Sequence, residues 1–184
     1  NAKLLKKYFE KTKKFNPYLI CTPECSNIIT NDINYLKNNT TFENDCPILK
    51  MAKLYAKENS VNINIGSLLL KIKNKKKLVN RSYFINSKGK IAKKYDKIHM
   101  FDVNINKKET HRESDTFEAG SKIVLLDLNG VKIGFTICYD LRFPNLFRNL
   151  AKRGAQIILM PAAFTVPSGK AHWEVMLRSR AIEN

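Results

Sequence analysis

The chain has 184 residues and a formal charge of +17, from 33 Lys and Arg against 16 Asp and Glu. That length suits one domain with a real core, and no stretch approaches the roughly 18–20 apolar residues of a membrane span. The lysines fall in short runs interleaved with 20 asparagines, without a stacking-aromatic motif or a Cys/His finger, so the charge reads as solvated surface and not as a specific nucleic-acid site.

Cysteines stand at positions 21, 25, 46 and 138 in a composition unlike that of stapled secreted domains. Cys21 and Cys25 lack the second pair or nearby histidine that a zinc site needs. No basic start followed by an apolar stretch opens the chain. The expectation is a soluble, cytoplasmic protein with reduced thiols.

Residues 2–14 place Leu4, Leu5, Tyr8 and Phe9 on one stripe of a lysine-faced helix that Pro17 ends. Residues 18–22 read as a short buried strand running into Pro23 and Glu24. A polar, Asn-rich loop is expected over 26–44, then Asp45 as the cap of a helix through Pro47, Leu49, Ala52, Leu54, Tyr55 and Ala56 to about Asn59. Residues 61–70 and 78–86 alternate as hairpin strands around a lysine-rich tip, and a turn at 87–90 leads to a third strand, 91–95.

From 100 to 121 no periodicity is evident, which predicts a long loop of the functional kind. Residues 123–128 and 131–137 form a hairpin around Asn129-Gly130. A helix over 143–153 with Pro144 at its first turn, then an apolar strand over 156–160, make a strand–helix–strand unit with parallel neighbours. A last helix is predicted from near Ala171. The pattern as a whole is an α/β sandwich with mixed sheets.

Three reactive residues occupy strand ends, where the ligand crevice of an open α/β sheet lies: Glu24, Lys97 and Cys138. Cys138 sits in Gly134-Phe-Thr-Ile-Cys-Tyr-Asp-Leu-Arg-Phe-Pro144, where an apolar strand stops and a helix begins. If the strands are neighbours, Glu24 can take the thiol proton as the sulfur attacks, and Lys97 with the backbone N–H of Tyr139 can face the developing oxyanion. That is amide hydrolysis through a thioester. Free cysteines are more often plain packing groups, and a Cys138–His99 pair is a second reading, one that leaves the glutamate and lysine unexplained. Asp140 and Arg142 read as a pair supporting the cysteine turn, with a substrate carboxylate as the other partner for Arg142. His172 and Trp173 read as packing and capping groups.

Thr22-Pro-Glu-Cys25, Tyr95-Asp-Lys-Ile-His-Met-Phe-Asp102, Arg112-Glu-Ser-Asp-Thr-Phe-Glu-Ala-Gly120, Cys138-Tyr-Asp-Leu-Arg-Phe-Pro144 and the stretch from Pro161 through Ala171-His-Trp-Glu174 resemble, in order, the blocks of the nitrilase superfamily of carbon–nitrogen hydrolases. The resemblance implies an α-β-β-α sandwich and one carbon–nitrogen hydrolase domain over 1–184, with the family's first strand and its C-terminal strands outside these residues. It implies the catalytic set Glu24, Lys97 and Cys138, with Glu113 positioning Lys97 and the substrate. It implies no metal, no organic cofactor, and a homodimer formed through the helix over 143–153 and the last helix. Phe164-Thr-Val-Pro-Ser-Gly169 and His172-Trp-Glu-Val-Met-Leu-Arg178 look most like the branch that hydrolyses deaminated glutathione, with the ω-amidase branch, acting on α-ketoglutaramate-like substrates, left open. Both take a small anionic amide. A family fold kept only for association through the 100–121 stretch would be the non-enzymatic alternative.

Overall fold

The computed structural model describes residues 1–104 and 110–184. In chain order it builds α1 (Ala2–Thr12), β1 (Leu19–Cys21), α2 (Ile33–Asn39), α3 (Pro47–Glu58), β2 (Asn62–Lys71), β3 (Leu78–Ile85) and β4 (Ile91–Asp96). There follow β5 (Asp102–Asn104), β6 (Thr110–Arg112), α4 (Glu113–Thr116), β7 (Leu125–Leu128), β8 (Val131–Phe135), α5 (Pro144–Lys152), β9 (Ile157–Leu159) and α6 (Val166–Glu183).

Apolar side chains sort these elements into four layers. The apolar stripes of α1 and α3, with Phe9, Leu49, Ala52 and Tyr55, cover one face of the first sheet at Ile63, Ile65 and Val79. The other face of that sheet presents Phe84 and Tyr95 to Leu126, Ile133 and Phe135 of the second sheet, with Phe84 and Phe135 edge to face at 6.2 Å. Beyond the second sheet, Leu146, Phe147 and Leu150 of α5 pack with Trp173, Met176 and Leu177 of α6. Helices, sheet, sheet, helices is the arrangement that lets each amphipathic element bury its one apolar face.

The first sheet runs β1-β2-β3-β4, with β1 and β2 parallel and the rest antiparallel. The second runs β7-β8-β9, antiparallel then parallel, α5 providing the crossover. Asn129 and Gly130 both take positive φ, 54° and 87°, the pair of left-handed residues that a two-residue hairpin turn requires. Register in β2 slips between Ile65 and Leu68. Gly66 lies in that slip because a Cβ there would stand 2.1 Å from the Thr22 carbonyl and 2.5 Å from that of Pro23. The backbone leading to Glu24 can lie against β2 only because Gly66 has no side chain.

Four expectations need correction. The 26–44 stretch is not all loop: Asp32 Oδ1 accepts the Tyr35 N–H at 2.9 Å and opens α2, which buries only Leu36. Asp45 does not cap α3. It lies in a 3₁₀ turn, Glu43–Asp45, while Cys46 is the N-cap and Pro47 starts the helix. The 100–121 stretch holds β5, β6 and the short α4, although residues 105–109 of that predicted loop lie outside the described residues. The last helix begins at Val166 instead of near Ala171, since Pro167 fits a first turn, where no N–H partner is needed.

Candidate active site

Glu24 follows β1 in a turn stapled to the β2 slip. Thr22 Oγ1 accepts the Gly66 N–H at 3.0 Å, the Ser67 N–H reaches the Pro23 carbonyl at 3.3 Å, and the Cys25 N–H reaches Ser67 Oγ at 2.9 Å. Lys97 follows β4, its N–H on the Asn80 carbonyl at 3.0 Å and its carbonyl receiving the Gly120 N–H at 2.8 Å. Cys138 follows β8 and opens a 3₁₀ turn, Cys138–Arg142, with φ of 48° and its N–H on the Pro161 carbonyl at 2.9 Å. A left-handed backbone is costly for a residue with a Cβ, and such strain gathers at working sites.

These three side chains meet in one cavity of about 520 Å³. Lys97 Nζ lies 2.8 and 2.9 Å from the two oxygens of Glu113 and 3.4 Å from Glu24 Oε1. Glu113 is brought there by the β5–β6 pairing, and the Phe101 N–H donates to its Oε2 at 2.6 Å. Glu24 Oε1 accepts from Asn80 Nδ2 at 2.9 Å, and Oε2 from the Ala163 N–H at 2.8 Å. Neither Asn80 nor the Ala163 N–H figures in the sequence reading. An Asn directly after Leu78 and Val79 in an expected strand is the one available signal for Asn80, and a backbone donor 139 positions away from its acceptor leaves none.

Electrostatics set the resting protonation. Burial alone would lower the Lys97 pKa, but Glu24 and Glu113 outweigh it and hold the ammonium above its ordinary range. Burial, and then the charge of Glu24, push the Cys138 thiol up, while Lys97 pulls less strongly the other way. The sulfur therefore rests as a thiol beside Glu24. Lys97 does not by itself make a thiolate here, so a base has to remove the proton.

Around this cluster the cavity is lined by Arg112 and Arg142 and by apolar groups that include Ile28, Leu69, Phe117 and Phe164. Tyr139 also lines it, its ring edge-on to Phe101 and Phe143 at 5.1 and 5.6 Å. The expected Asp140–Arg142 pair does not form. Asp140 accepts from Tyr95 Oη at 2.6 Å, from the His99 and Ile137 N–H groups at 3.0 and 2.8 Å, and pairs with His99 Nδ1 at 2.7 Å. It is fully buried, so its desolvation is compensated by local donors and not by a mobile guanidinium. Arg142 Nη2 lies 2.9 Å from His172 Nδ1. His99 stacks flat on Phe143 at 3.6 Å while its Nδ1 faces Asp140. His172 and Trp173 lie inside α6 and not at its start, Trp173 packing on Phe164 at 5.1 Å.

The carbon-nitrogen hydrolase family model matches residues 1–184. A deaminated glutathione amidase of Yersinia enterocolitica is 41% identical over 170 residues, covering 90% of this chain and 58% of that protein. An omega-amidase of Saccharomyces cerevisiae is 32% identical over 181 residues, covering 96% of this chain and 62% of its own length. The crystal structure of the C. elegans NitFhit protein superposes with a TM-score of 0.84 at 31% identity, over 95% of this chain and 43% of that one. The chain thus spans little more than half the length of the first of these relatives. Its two-sheet sandwich is of the nitrilase type, and the chain belongs to the carbon-nitrogen hydrolase family.

Proposed function

We propose that the protein carrying this chain hydrolyses the amide of a small anionic substrate through a covalent thioester on Cys138. The observation that carries the reading is the cluster of Glu24, Lys97, Glu113 and a protonated Cys138 thiol in a single cavity. Glu24 takes the Sγ proton as the sulfur adds to the amide carbon. The Lys97 ammonium and the Tyr139 backbone N–H face the oxyanion. Collapse breaks the C–N bond, and the proton held on Glu24 leaves with the amine. Glu24 then takes a proton from water as the hydroxide adds to the thioester, and the acid departs as the thiol is restored. Glu113 fixes Lys97 and keeps it charged. With no metal or organic cofactor in any step, the side chains named supply the acid, base and nucleophile.

Deaminated glutathione is the substrate favoured by the relatives, with ω-amides such as α-ketoglutaramate as the second reading. Arg142, lining the cavity, suits a substrate carboxylate in either case. A cavity of about 520 Å³ is roomier than a short dicarboxylic amide needs, which favours the larger of the two. Comparing kcat/KM for the two amides tests the choice: a preference for α-ketoglutaramate reverses it, and hydrolysis of neither, read as peptide amine released from the first and ammonia from the second, sinks the amidase reading. We further infer a homodimer, supported by the 68% and 84% exposure of Val175 and Ile182 on α6, beside α5. Sedimentation showing monomer alone overturns it. Four free thiols suit a reducing, cytoplasmic setting. Among the described residues no helix is long and apolar enough to cross a membrane.

A further inference from the structure

Asn80 is the residue whose cost the fold does not explain. It lies on β3 with 1% of its surface exposed, following the buried Leu78 and Val79. Its Nδ2 donates to Glu24 Oε1 at 2.9 Å, yet its Oδ1 is sealed from solvent with no hydrogen-bond partner among the described residues. A buried amide oxygen without a donor carries a desolvation penalty that an apolar side chain of the same size would avoid. Turning the amide over brings no relief, because Oδ1 would then face the Glu24 carboxylate, acceptor against acceptor.

The same residue also holds Lys97. The Asn80 carbonyl accepts the Lys97 N–H at 3.0 Å, so β3 sets the backbone of the lysine and the side chain of the glutamate from a single position. The other Glu24 oxygen is held by the Ala163 N–H, which also faces the Cys138 sulfur. Fixing Oε1 therefore fixes the whole carboxylate relative to the thiol.

We propose that Asn80 is a positioning residue that aims Glu24 at the Cys138 thiol, its donor retained although the carbonyl beside it goes unpaired. The proposal rests on the reading of Glu24 as the base. Without the Asn80 donor the carboxylate is free to swing toward Lys97, its remaining partner on that oxygen at 3.4 Å, and away from the sulfur.

The test uses the full-length protein with Asn80→Leu and Asn80→Asp, each made alone and together with Glu24→Gln. Three quantities are read: kcat and KM for the amide, the rate of Cys138 alkylation by iodoacetamide followed by peptide mass, and Tm. Asn80→Leu is expected to lower kcat by about 10- to 100-fold with KM within about threefold, and to leave Tm near the parent's because relief of the orphan oxygen offsets the donor that Glu24 loses. Asn80→Asp, nearly identical in shape, sets a second carboxylate against Glu24 and lowers kcat at least as far. In the Glu24→Gln background neither change slows alkylation further. The proposal is overturned if both variants keep kcat within about threefold of the parent, or if alkylation slows equally with and without Glu24. Parent-like turnover in Glu24→Gln alone marks failure of the base reading, and the proposal falls with it. Slow Glu24→Gln beside fast Asn80 variants marks failure of the positioning role alone.

Discussion

Two buried carboxylates flank Cys138, and they are finished differently. Asp140 receives two donors on each oxygen, from Ile137, Tyr95 and twice from His99. Burial and the neighbouring Asp140 charge keep the Tyr95 phenol above its ordinary range, so that donor stays a donor. Glu24 has one amide donor per oxygen, a longer contact to Lys97, and the thiol of Cys138 as an exchangeable partner. The first carboxylate ties the end of β4 to the cysteine turn; the second keeps capacity for a proton. Polar burial alone does not mark a candidate reactive group, whereas an unfinished hydrogen-bond set beside a thiol does.

The sharpest break in this comparison is Cys138→Ala. Turnover should fall by roughly 10⁴-fold or more, while circular dichroism and Tm stay near the parent's; substantial residual amide hydrolysis would contradict a thioester. Glu24→Gln comes next, with an expected loss of about 10²- to 10⁴-fold in kcat at nearly constant Tm. Lys97→Ala should lose of order 10²-fold in kcat and, unlike the previous two, should also destabilise. It leaves Glu24 and Glu113 buried without their cation, a change that costs about 3–5 kcal/mol, readable in urea. Equal stability of Lys97→Ala and the parent would remove the ammonium from its place in the network.

Asp140→Ala is expected to invert the Glu24 pattern, with the loss appearing first in stability. Removing the carboxylate orphans buried donors at about 1–3 kcal/mol, with activity falling only as far as the Cys138 turn loosens. A stable Asp140→Ala that lacks activity would move Asp140 into the chemistry.

The smallest expected effect lies far from the cavity, at Glu43. Burial raises its pKa, but hydrogen bonds from Lys94 and Tyr83 and the charges of Lys94 and Arg81 outweigh it, so the carboxyl is held below its ordinary 4.5. A depressed carboxylate pKa stabilises above the unfolded value and loses that contribution as pH falls through the folded one. The stability gap between parent and Glu43→Gln should thus close as pH drops below about 4.5, and it should be under about 1 kcal/mol at neutral pH because the group is part-exposed. A gap that widened in acid would reverse the sign of the argument.

Much of the frame is legible in the residues. The helices α1, α3 and α5, the alternation of β2 and β3 and the Asn129-Gly130 turn are local signals, and each lies within a residue or two of the expected place, although Leu4 and Tyr8 of the expected α1 stripe and Leu54 of α3 face solvent. The positions of Glu24, Lys97 and Cys138 beyond their strands follow from those boundaries. The misses are also physical. Seven residues of α2 bury one side chain, too few to show a period, and β5 and β6 are three residues each, too short for alternation to register. Nearness in the chain suggests Arg142 as the partner of Asp140, whereas its donors include Tyr95 and His99, more than forty positions earlier.

What the residues determine by themselves is therefore which segments form elements and which reactive groups stand at their ends, because period and turn chemistry act over a few neighbours. Which of those groups touch is a matter of packing. Lys97 and Glu24 are 73 positions apart, and Ala163 and Glu24 are 139. They meet because two sheets stack through Phe84 and Phe135 and because Gly66 lets the chain before Glu24 lie against β2. The raised thiol pKa, the doubly paired lysine and the Asn80 oxygen that has no partner among the described residues exist only once that stacking has excluded water from the cluster.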